Sequence, residues 1–249
     1  MTPPRTSFLG VDFDLLDLAA TERWLAERPA DAPFGYIVTP NVDHIVKLDA
    51  APADAEIRAA YAGAALRLCD SRIVAKLAKT CGIDLPIVPG SDLTPHVFTR
   101  IAAAGDRICL IGGDSAMLEE LRSIRPDLDL VQHVPPMGML RKPAAMAAAA
   151  AFVRDARARF TFLAVAMPQQ EILALRVQQA GGAIGVGLCI GASLDFLTGR
   201  KARAPLWVRK ASLEWLHRLL SEPRRLWRRY LIEGPRIFVL TLKWRRRSK

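Results

Sequence analysis

YIVTPNVDHIVKLD, residues 36–49, joins a short β-prone run to a helical pattern of apolar residues. The same arrangement repeats as far as residue 190, and we predict strands at Tyr36–Thr39, Ala65–Cys69, Arg107–Ile111, Leu128–Gln132, Thr161–Ala166 and Ala183–Leu188. Helical patterns follow at 41–49, 72–80, 92–104, 114–124, 143–158 and 169–180. Strands that alternate with helices of this length indicate βαβ units. We therefore predict an α/β fold, with a mostly parallel sheet and helices on both of its faces.

The distribution of charge divides the chain near residue 198. The net charge is +10, and 16 of the 35 Lys and Arg residues but only 3 of the 25 Asp and Glu residues lie from Arg200 to Lys249. That segment therefore carries +13 and the rest of the chain −3. A basic segment attracts nucleic acid, phosphate groups or an anionic membrane surface. We predict two domains, 1–198 and 199–249, of which the second is a basic helical appendage.

The appendage contains three helical patterns. We predict one helix over residues 205–220, a second over 221–230 with Ser221 near its cap, and a short amphipathic piece after Gly234-Pro235. The segment also holds Trp207, Trp215, Trp227 and Trp244. Tryptophan and arginine together suit a helix at a membrane surface. The same rings could instead pack the appendage onto the body, and the sequence leaves both interpretations open.

Some classes of protein are disfavoured by what the sequence lacks. No apolar run approaches the ~20 residues that cross a bilayer, and the N-terminus has no apolar secretory core. We therefore expect a soluble or monotopic protein. The basic residues are not accompanied by a recognition helix or an aromatic platform, so we predict no nucleic-acid partner. Steeply salt-dependent binding to duplex DNA would contradict that prediction.

The cysteines, histidines and glycines do not predict a metal or a cofactor. The four cysteines lie in apolar contexts without CxxC spacing, which favours buried free thiols. The four histidines show no paired-ligand spacing, so we predict no metal site. Residues 185–191, GVGLCIG, depart from the dinucleotide fingerprint GxGxxG. We predict no cofactor, and interpret this run as a turn that lets the backbone approach a nucleotide.

Polar residues just after the predicted strands are candidates for a site, because ligands of parallel sheets bind beyond the carboxyl ends of the strands. Thr39 and Asn41 follow the first strand, and Asn41 could simply cap the next helix. Asp70 follows the second strand and could act as a general base or cap the helix over 72–80. Residues 168–171, PQQE, open a helix after the fifth strand, and this N-terminus could attract phosphate or be an ordinary helix start.

Four arginines of the appendage lie within twelve residues of one another: Arg218, Arg225, Arg228 and Arg229. The last three share one helix face by their i, i+3, i+4 spacing. Guanidinium groups bind phosphate through two parallel hydrogen bonds and keep their charge at all relevant pH values. Before any resemblance is considered, anchoring to a membrane is the favoured role of this cluster, and binding of a diphosphate is the alternative.

One long run of the chain, residues 191–230, is the most specific feature of the sequence. It includes GASLDFLTGRKARAPLW (191–207), LEWLHR (213–218) and EPRRLWRRY (222–230). This run closely resembles the WecG/TagA/CpsF glycosyltransferases, glycosyltransferase family 26. The segments TPN (39–41), PGSDL (89–93), GG (112–113) and PQQE (168–171) match the same family in the same order. The resemblance covers about residues 8–240.

The resemblance implies a Rossmann-like α/β domain with a C-terminal appendage that meets the membrane. It implies an inverting, metal-independent transfer of N-acetylmannosamine or another hexose from a UDP-sugar to an undecaprenyl-diphosphate-linked acceptor, in cell-surface polysaccharide synthesis. The expected location is the cytoplasmic face of the inner membrane, and a homo-oligomer is compatible with it. By motif position the base is Asp70, and the residues that bind substrate are Thr39, Asn41, Gln170, Asp195, Arg218, Arg225 and Arg228.

The sequence departs from the family pattern at two positions near the expected site. Ser71 replaces a glycine after Asp70, and Ile87 replaces an arginine. These departures motivate an alternative hypothesis, a non-catalytic scaffold that docks on the membrane within a polysaccharide assembly complex. Absence of UDP-sugar binding in calorimetry would favour that alternative.

Overall fold

The structure is a computed structural model that describes residues 3–51 and 54–247. Its centre is a six-stranded sheet in which every pairing is parallel. The strands of the molecule are β1 (Arg5–Phe8), β2 (Val11–Asp14), β3 (Gly35–Val38), β4 (Leu66–Arg67), β5 (Arg107–Gly112), β6 (Asp129–His133), β7 (Phe160–Ala164) and β8 (Val186–Cys189). The order across the sheet is β4-β3-β8-β7-β5-β6, and β1 pairs with β2 in a separate antiparallel hairpin. The predicted α/β fold with a mostly parallel sheet is confirmed.

Helices connect the strands and cover both faces of the sheet. The helices of the body are α1 (Leu18–Glu27), α2 (Val42–Ala50), α3 (Ala55–Ala62), α4 (Arg72–Lys79), α5 (Gly90–His96), α6 (Ser115–Ile124), α7 (Pro143–Ala156), α8 (Gln169–Ala180) and α9 (Ser193–Leu197). A π-helical segment at Val97–Ile101 extends α5, and a 3₁₀ turn lies at Met139–Arg141. The C-terminal helices are α10 (Leu206–Lys210), α11 (Glu214–Ser221), α12 (Pro223–Trp227), a π-helical segment at Arg228–Glu233, and α13 (Arg236–Arg247).

The central strands are apolar on both sides, as expected when helices cover both faces of a parallel sheet. All four residues of β3 and all four of β8 are buried. Along β3, Tyr36 and Val38 pack into one apolar cluster, and Ile37 packs into the other, on the opposite face. This alternation follows from the two-residue period of a strand. The sheet is therefore packed on both faces, and the loops at its carboxyl ends extend from buried strands.

The predicted single helix over 205–220 is wrong. The structure has two helices, α10 and α11, because Ser212 adopts a φ of +64° and turns the chain between them. The turn allows Val208 and Leu219, on the two sides of it, to be buried, while Leu213 stays 37% exposed. No local signal marks this turn, since Ala211-Ser212-Leu213 contains neither glycine nor proline.

The predicted second helix of the appendage, 221–230, is also divided differently. Ser221 ends α11, where its hydroxyl donates to the carbonyl of His217 (2.9 Å), and Glu222 occupies the cap position of α12. A π-helical segment follows α12, and the chain turns at Gly234-Pro235 before α13, as predicted.

The C-terminal helices pack onto the body of the molecule. Ile237 of α13 is 1% exposed and belongs to the main apolar cluster. Trp244 meets Phe8 of the hairpin edge to face, with ring centroids 5.9 Å apart. In contrast, Trp207 and Trp227 are 70% and 50% exposed. Trp244 therefore packs the appendage onto the body, whereas a membrane role of the exposed tryptophans stays a prediction. The boundary between domains 1–198 and 199–249 stays a prediction.

Over residues 3–51 and 54–247, the structure contains no helix that combines the length and the apolar character needed to span a membrane.

Candidate functional site

A cavity of about 710 Å³ opens beyond the carboxyl ends of the central strands. Its wall combines the loops after β3, β4, β5, β7 and β8 with α11, α12 and the π-helical segment of the appendage. Seven of the eight residues predicted to form the site line it: Thr39, Asn41, Asp70, Gln170, Asp195, Arg218 and Arg225. The fold thus brings together residues that are up to 186 positions apart in the sequence.

Asp70 lies on the wall of this cavity, just beyond β4. The capping role that could have explained it belongs instead to Ser71, whose hydroxyl accepts the backbone N–H of Val74 at the start of α4. The Asp70 carboxylate is therefore free to face the cavity. Burial raises its pKa from 3.8 to about 7, although the charge of Arg218 and a hydrogen bond from Asn41 act in the opposite direction. A carboxylate with a pKa close to neutrality can both accept and release a proton at physiological pH.

Thr39 and Asn41 hold the rim of the cavity next to Asp70. Asn41 caps α2, where its Oδ1 accepts the backbone N–H groups of Asp43 (3.0 Å) and His44 (3.3 Å). Its amide Nδ2 lies 3.5 Å from Oδ2 of Asp70. The predicted cap role is confirmed, and the same side chain also faces Asp70. Because the cap fixes Oδ1, the amide nitrogen is the part of Asn41 that is left to turn toward the carboxylate.

A close approach at Gly90 joins this rim to the loop after β8. A Cβ atom at Gly90 would lie 3.3 Å from Oγ1 of Thr39 and 3.4 Å from Oγ of Ser193. The first of these contacts is tight, so that a side chain here would require Thr39 to shift by a few tenths of an ångström. Gly90 therefore lets three segments of the cavity wall meet.

Gln170 and Glu171, at the start of α8, fix the backbone of the glycine-rich loop. The Nε2 group of Gln170 donates to Oε1 of Glu171 (2.8 Å), and Oε1 of Gln170 accepts the N–H of Gly191 (2.9 Å). Glu171 is completely buried, and this burial raises its pKa to about 7. The carboxyl group of Glu171 therefore sets which way the Gln170 amide points. The amide in turn holds Gly191, whose φ of +53° suits a residue without a side chain.

Basic groups from the appendage and the body converge on the cavity. Arg218, Arg225 and Arg229 line it together with Lys47 and Lys201. Nearby carboxylates hold several of these cations. Lys47 Nζ lies 2.8 Å from Asp43, Lys201 Nζ lies 3.2 Å from Asp195, and Arg225 Nε lies 2.5 Å from Glu222. Asp195 thus reaches the cavity as the partner of a lysine.

Two of these arginines, Arg218 and Arg229, each have a buried donor, the Nε–H group, that makes no hydrogen bond within the described residues. The Nε of Arg229 nevertheless lies 3.5 Å from Oδ2 of Asp43, as an ion pair. Burial by itself would lower the pKa of Arg218, but the charges of Glu214 and Asp70 outweigh it and raise that pKa. Buried donors without an acceptor are costly. An anion in the cavity would satisfy both.

Arg228 is the predicted site residue that does not line the cavity. Its side chain is 74% exposed, and its Nε lies 3.1 Å from Glu233. The neighbouring Arg229, which the sequence analysis did not select, lines the cavity instead. The spacing could not decide between the two, because Arg228 and Arg229 lie three and four residues after Arg225 and both share its helix face. Lys47 and Tyr230 also line the cavity, and the sequence analysis missed both of them.

Histidines and acidic groups around the cavity do not form a set of metal ligands. His44 is buried, which lowers its pKa to about 3, and its Nδ1 lies 3.0 Å from the hydroxyl of Tyr61. It is therefore uncharged at neutral pH. Among residues 3–51 and 54–247, no group of three or more His, Cys, Asp or Glu side chains is arranged to hold a metal ion.

Comparison with known families gives one match that spans nearly the whole chain. Residues 6–249 match the family model described as "Glycosyl transferase WecG/TagA/CpsF family".

Proposed function

The chain belongs to the WecG/TagA/CpsF glycosyltransferase family, and on this premise we propose that it moves a hexose from a UDP-sugar to an acceptor linked to a lipid diphosphate. N-acetylmannosamine is one candidate sugar. The observation that carries the proposal is the position of Asp70, a carboxylate with a pKa near 7 on the wall of a cavity that is rich in arginine. The family assigns the chain to glycosyl transfer in cell-surface polysaccharide synthesis.

Asp70 would act as the general base. Its carboxylate takes the proton of the acceptor hydroxyl while the oxygen of that hydroxyl forms a bond to the anomeric carbon of the donor sugar. The bond from that carbon to the β-phosphate oxygen breaks at the same time, and its electron pair leaves with UDP. A single displacement of this kind inverts the configuration at the anomeric carbon. A general base of this type typically contributes a factor of roughly 10²–10⁴ to the rate.

Arginines would stabilise the leaving group in place of a metal ion. Negative charge grows on the diphosphate as the sugar departs, and donors that are already in position stabilise such charge most effectively. Arg218 and Arg229 line the cavity, and the buried Nε of each makes no hydrogen bond among residues 3–51 and 54–247. Arg225 lies at the same wall and adds a third guanidinium group.

The appendage would also bring the enzyme to the lipid-linked acceptor. Trp207, Trp227 and the arginines at 245–247 are exposed. Aromatic rings suit the headgroup level of a bilayer, and arginines suit anionic lipids. We propose a peripheral location on the cytoplasmic face of the inner membrane, without a nucleic-acid partner and compatible with a homo-oligomer.

A donor screen tests the proposal directly. Purified full-length chain is mixed with a panel of UDP-sugars and a short-chain lipid-diphosphate sugar, with and without anionic liposomes, and the release of UDP is recorded. We expect release that requires both the acceptor and one preferred donor. Release of UDP from no donor in the panel would contradict the proposed activity.

The scaffold alternative makes the opposite prediction, because a degraded pocket would bind no UDP-sugar in calorimetry. The two departures that motivate it have structural roles. Ser71 caps α4, and Ile87 lies in a parallel bridge with Cys69 beside the site. These roles keep the carboxyl end of β4 ordered, which supports the enzyme over the scaffold.

A further inference from the structure

Two carboxylates act on the guanidinium group of Arg218. Its Nη2 donates to Oε1 of Glu214 (2.8 Å), which lies four residues earlier in the chain, on α11. Asp70 acts on it through its charge. Among the ion pairs of residues 3–51 and 54–247, Arg218 pairs with Glu214, and Asp70 takes part in none. The fold therefore pairs the arginine with Glu214 and leaves the carboxylate of Asp70 outside that ion pair.

A second contact fixes the position of the same guanidinium group. The Cζ atom of Arg218 lies 5.2 Å from the centroid of the Phe196 ring, on α9. An aromatic face attracts a cation placed over it. Phe196 and Arg218 both line the first cavity, and Arg218 also lines a smaller one of about 360 Å³ together with Asp70 and Glu214. Glu214 and Phe196 thus hold Arg218 at the wall of the first cavity, where its buried Nε makes no hydrogen bond within the described residues.

This pairing matters because a cation beside a general base weakens that base. An opposite charge within about 4–6 Å lowers the pKa of a carboxyl group by roughly 1–3 units. Burial has the largest effect on Asp70 and raises its pKa to about 7, and the charge of Glu214 acts in the same direction. The charge of Arg218 and the hydrogen bonds from Asn41 and the backbone of Gly90 lower this pKa. Without the charge of Glu214, Asp70 becomes the acidic partner of Arg218.

Among the charged side chains of the described residues, Arg218 and Glu214 act most strongly on Asp70. Other titratable groups adjoin Asp70 or share a cavity wall with it: the Cys69 thiol, whose pKa burial raises to about 12, Asp43 with its cationic partners Lys47 and Arg229, and Arg72 and Tyr230. A change at Glu214 is therefore expected to reach Asp70 mainly through Arg218.

We propose that Glu214 is a positioning residue for the transfer, which holds the Arg218 guanidinium at the wall of the first cavity and keeps it from forming an ion pair with Asp70. The inference deepens the proposed function and rests on it for the roles of Asp70 as base and of Arg218 at the leaving diphosphate. Because of Glu214, one arginine serves the leaving group while the base stays able to take the proton of the acceptor. Glu214 does not line the first cavity, so it acts on the reaction through Arg218.

A carbon-13 NMR titration of the Asp70 carboxyl group tests the proposal without turnover. The full-length chain is labelled at the side-chain carboxyl of aspartate, and Asp70→Asn identifies the resonance. Glu214→Gln keeps the shape of the side chain and an acceptor oxygen but removes the charge. We expect it to lower the pKa of Asp70 by about one pH unit, because Arg218 then pairs with Asp70. Glu214→Asp keeps the charge and should lower that pKa by less than half as much.

The same titration with Arg218→Gln shows whether Glu214 acts through the arginine. In that background, Glu214→Gln should lower the pKa of Asp70 by less than half as much as it does alone, because only its direct charge is lost. Glu233→Gln is the matched control. Glu233 pairs with Arg228 (3.1 Å) in the same appendage, and neither residue lines either cavity. This variant should leave the pKa of Asp70 unchanged.

The pH dependence of turnover provides a second readout. The acid limb of kcat/KM reports the pKa of the base in the free enzyme. Glu214→Gln should therefore move this limb to lower pH by about one pH unit, and Glu233→Gln should not move it. Above the limb, kcat of Glu214→Gln should fall about 3–10-fold, because a less basic carboxylate accepts a proton less readily. A role in packing alone would lower kcat or stability and leave the limb in place.

An unchanged pKa of Asp70 in Glu214→Gln would overturn the proposal. An equal change of that pKa with and without Arg218 would overturn it as well, because Glu214 would then act only as a direct charge. Absence of UDP release by the wild-type chain would instead contradict the proposed function. The NMR titration would still show whether Glu214 keeps Arg218 from pairing with Asp70, so the two failures are distinguishable.

Discussion

Replacing Asp70 with asparagine should stabilise the folded chain at neutral and alkaline pH. The pKa of Asp70 is raised by burial from 3.8 to about 7. The folded state therefore binds more protons than the unfolded state between these two pH values. Its stability falls as the pH rises through this window. Above pH 7 the ionised, buried carboxylate destabilises the folded state to the full extent. Asparagine removes this charge and keeps the size of the side chain.

The expected magnitude follows from the size of the pKa difference. Each pKa unit corresponds to about 1.4 kcal/mol, so a difference of about three units sets an upper limit of about 4 kcal/mol. Solvent that enters the cavity screens the charge and reduces the gain to on the order of 1–2 kcal/mol. For a chain of this length, that corresponds to a rise in Tm of about 2–8 °C.

Thermal unfolding at pH 8, 6 and 4.5 measures this effect. We expect the gain from Asp70→Asn to be largest at pH 8 and to shrink as the pH falls. Asp84→Asn is the matched control, because Asp84 is exposed in a loop before Leu85 and should leave Tm nearly unchanged. A lower Tm for Asp70→Asn than for wild type at pH 8, or a gain that does not depend on pH, would refute the reasoning.

Three further substitutions test other parts of the account. Arg218→Ala should lower kcat about 10²–10³-fold with a smaller change in KM, because the guanidinium acts mainly on the charge that develops on UDP. A change in KM alone, measured by steady-state kinetics, would contradict this role. Glu171→Leu should raise the KM for the donor, because the Gln170 amide loses the acceptor that orients it. Glu171→Gln retains an acceptor oxygen, so its KM should stay close to that of the wild type. Equal KM values for the two variants would assign Glu171 a packing role only. Ile237→Ala should lower the free energy of unfolding in urea by about 2–4 kcal/mol, since Ile237 is 1% exposed. Val239→Ala, at an exposed position, should lower it by less than about 0.5 kcal/mol. Similar losses for the two variants would show that α13 does not pack as described.

The sheet could be predicted from the sequence because short apolar, β-prone runs alternate with helical patterns along the chain. The positions of Asp70 and Asn41 at the cavity follow from the same rule, since parallel strands end at a common edge. The N-terminal hairpin was not predicted, although it is short and regular. Its position depends on contacts made far along the chain, because Asp14 of β2 is buried against Arg67 of β4.

The appendage was harder to predict, because its geometry depends on packing against the body. The turn at Ser212 has no local signal, and a continuous helical pattern hides it. The choice between Arg228 and Arg229 depends on which face of the segment meets the cavity. That face is set by the burial of Leu226 in α12 and by the contact of the π-helical segment with α2. Neither contact can be deduced from spacing alone.

The most direct test of the account is UDP release from the preferred donor and acceptor, compared between wild type and Asp70→Asn at pH 8. We predict that turnover falls by roughly 10²–10⁴, while calorimetry shows that UDP binds the variant at least as tightly as the wild type, since a nearby negative charge has been removed. Turnover close to that of the wild type in Asp70→Asn would contradict the central claim that this carboxylate takes the proton of the acceptor.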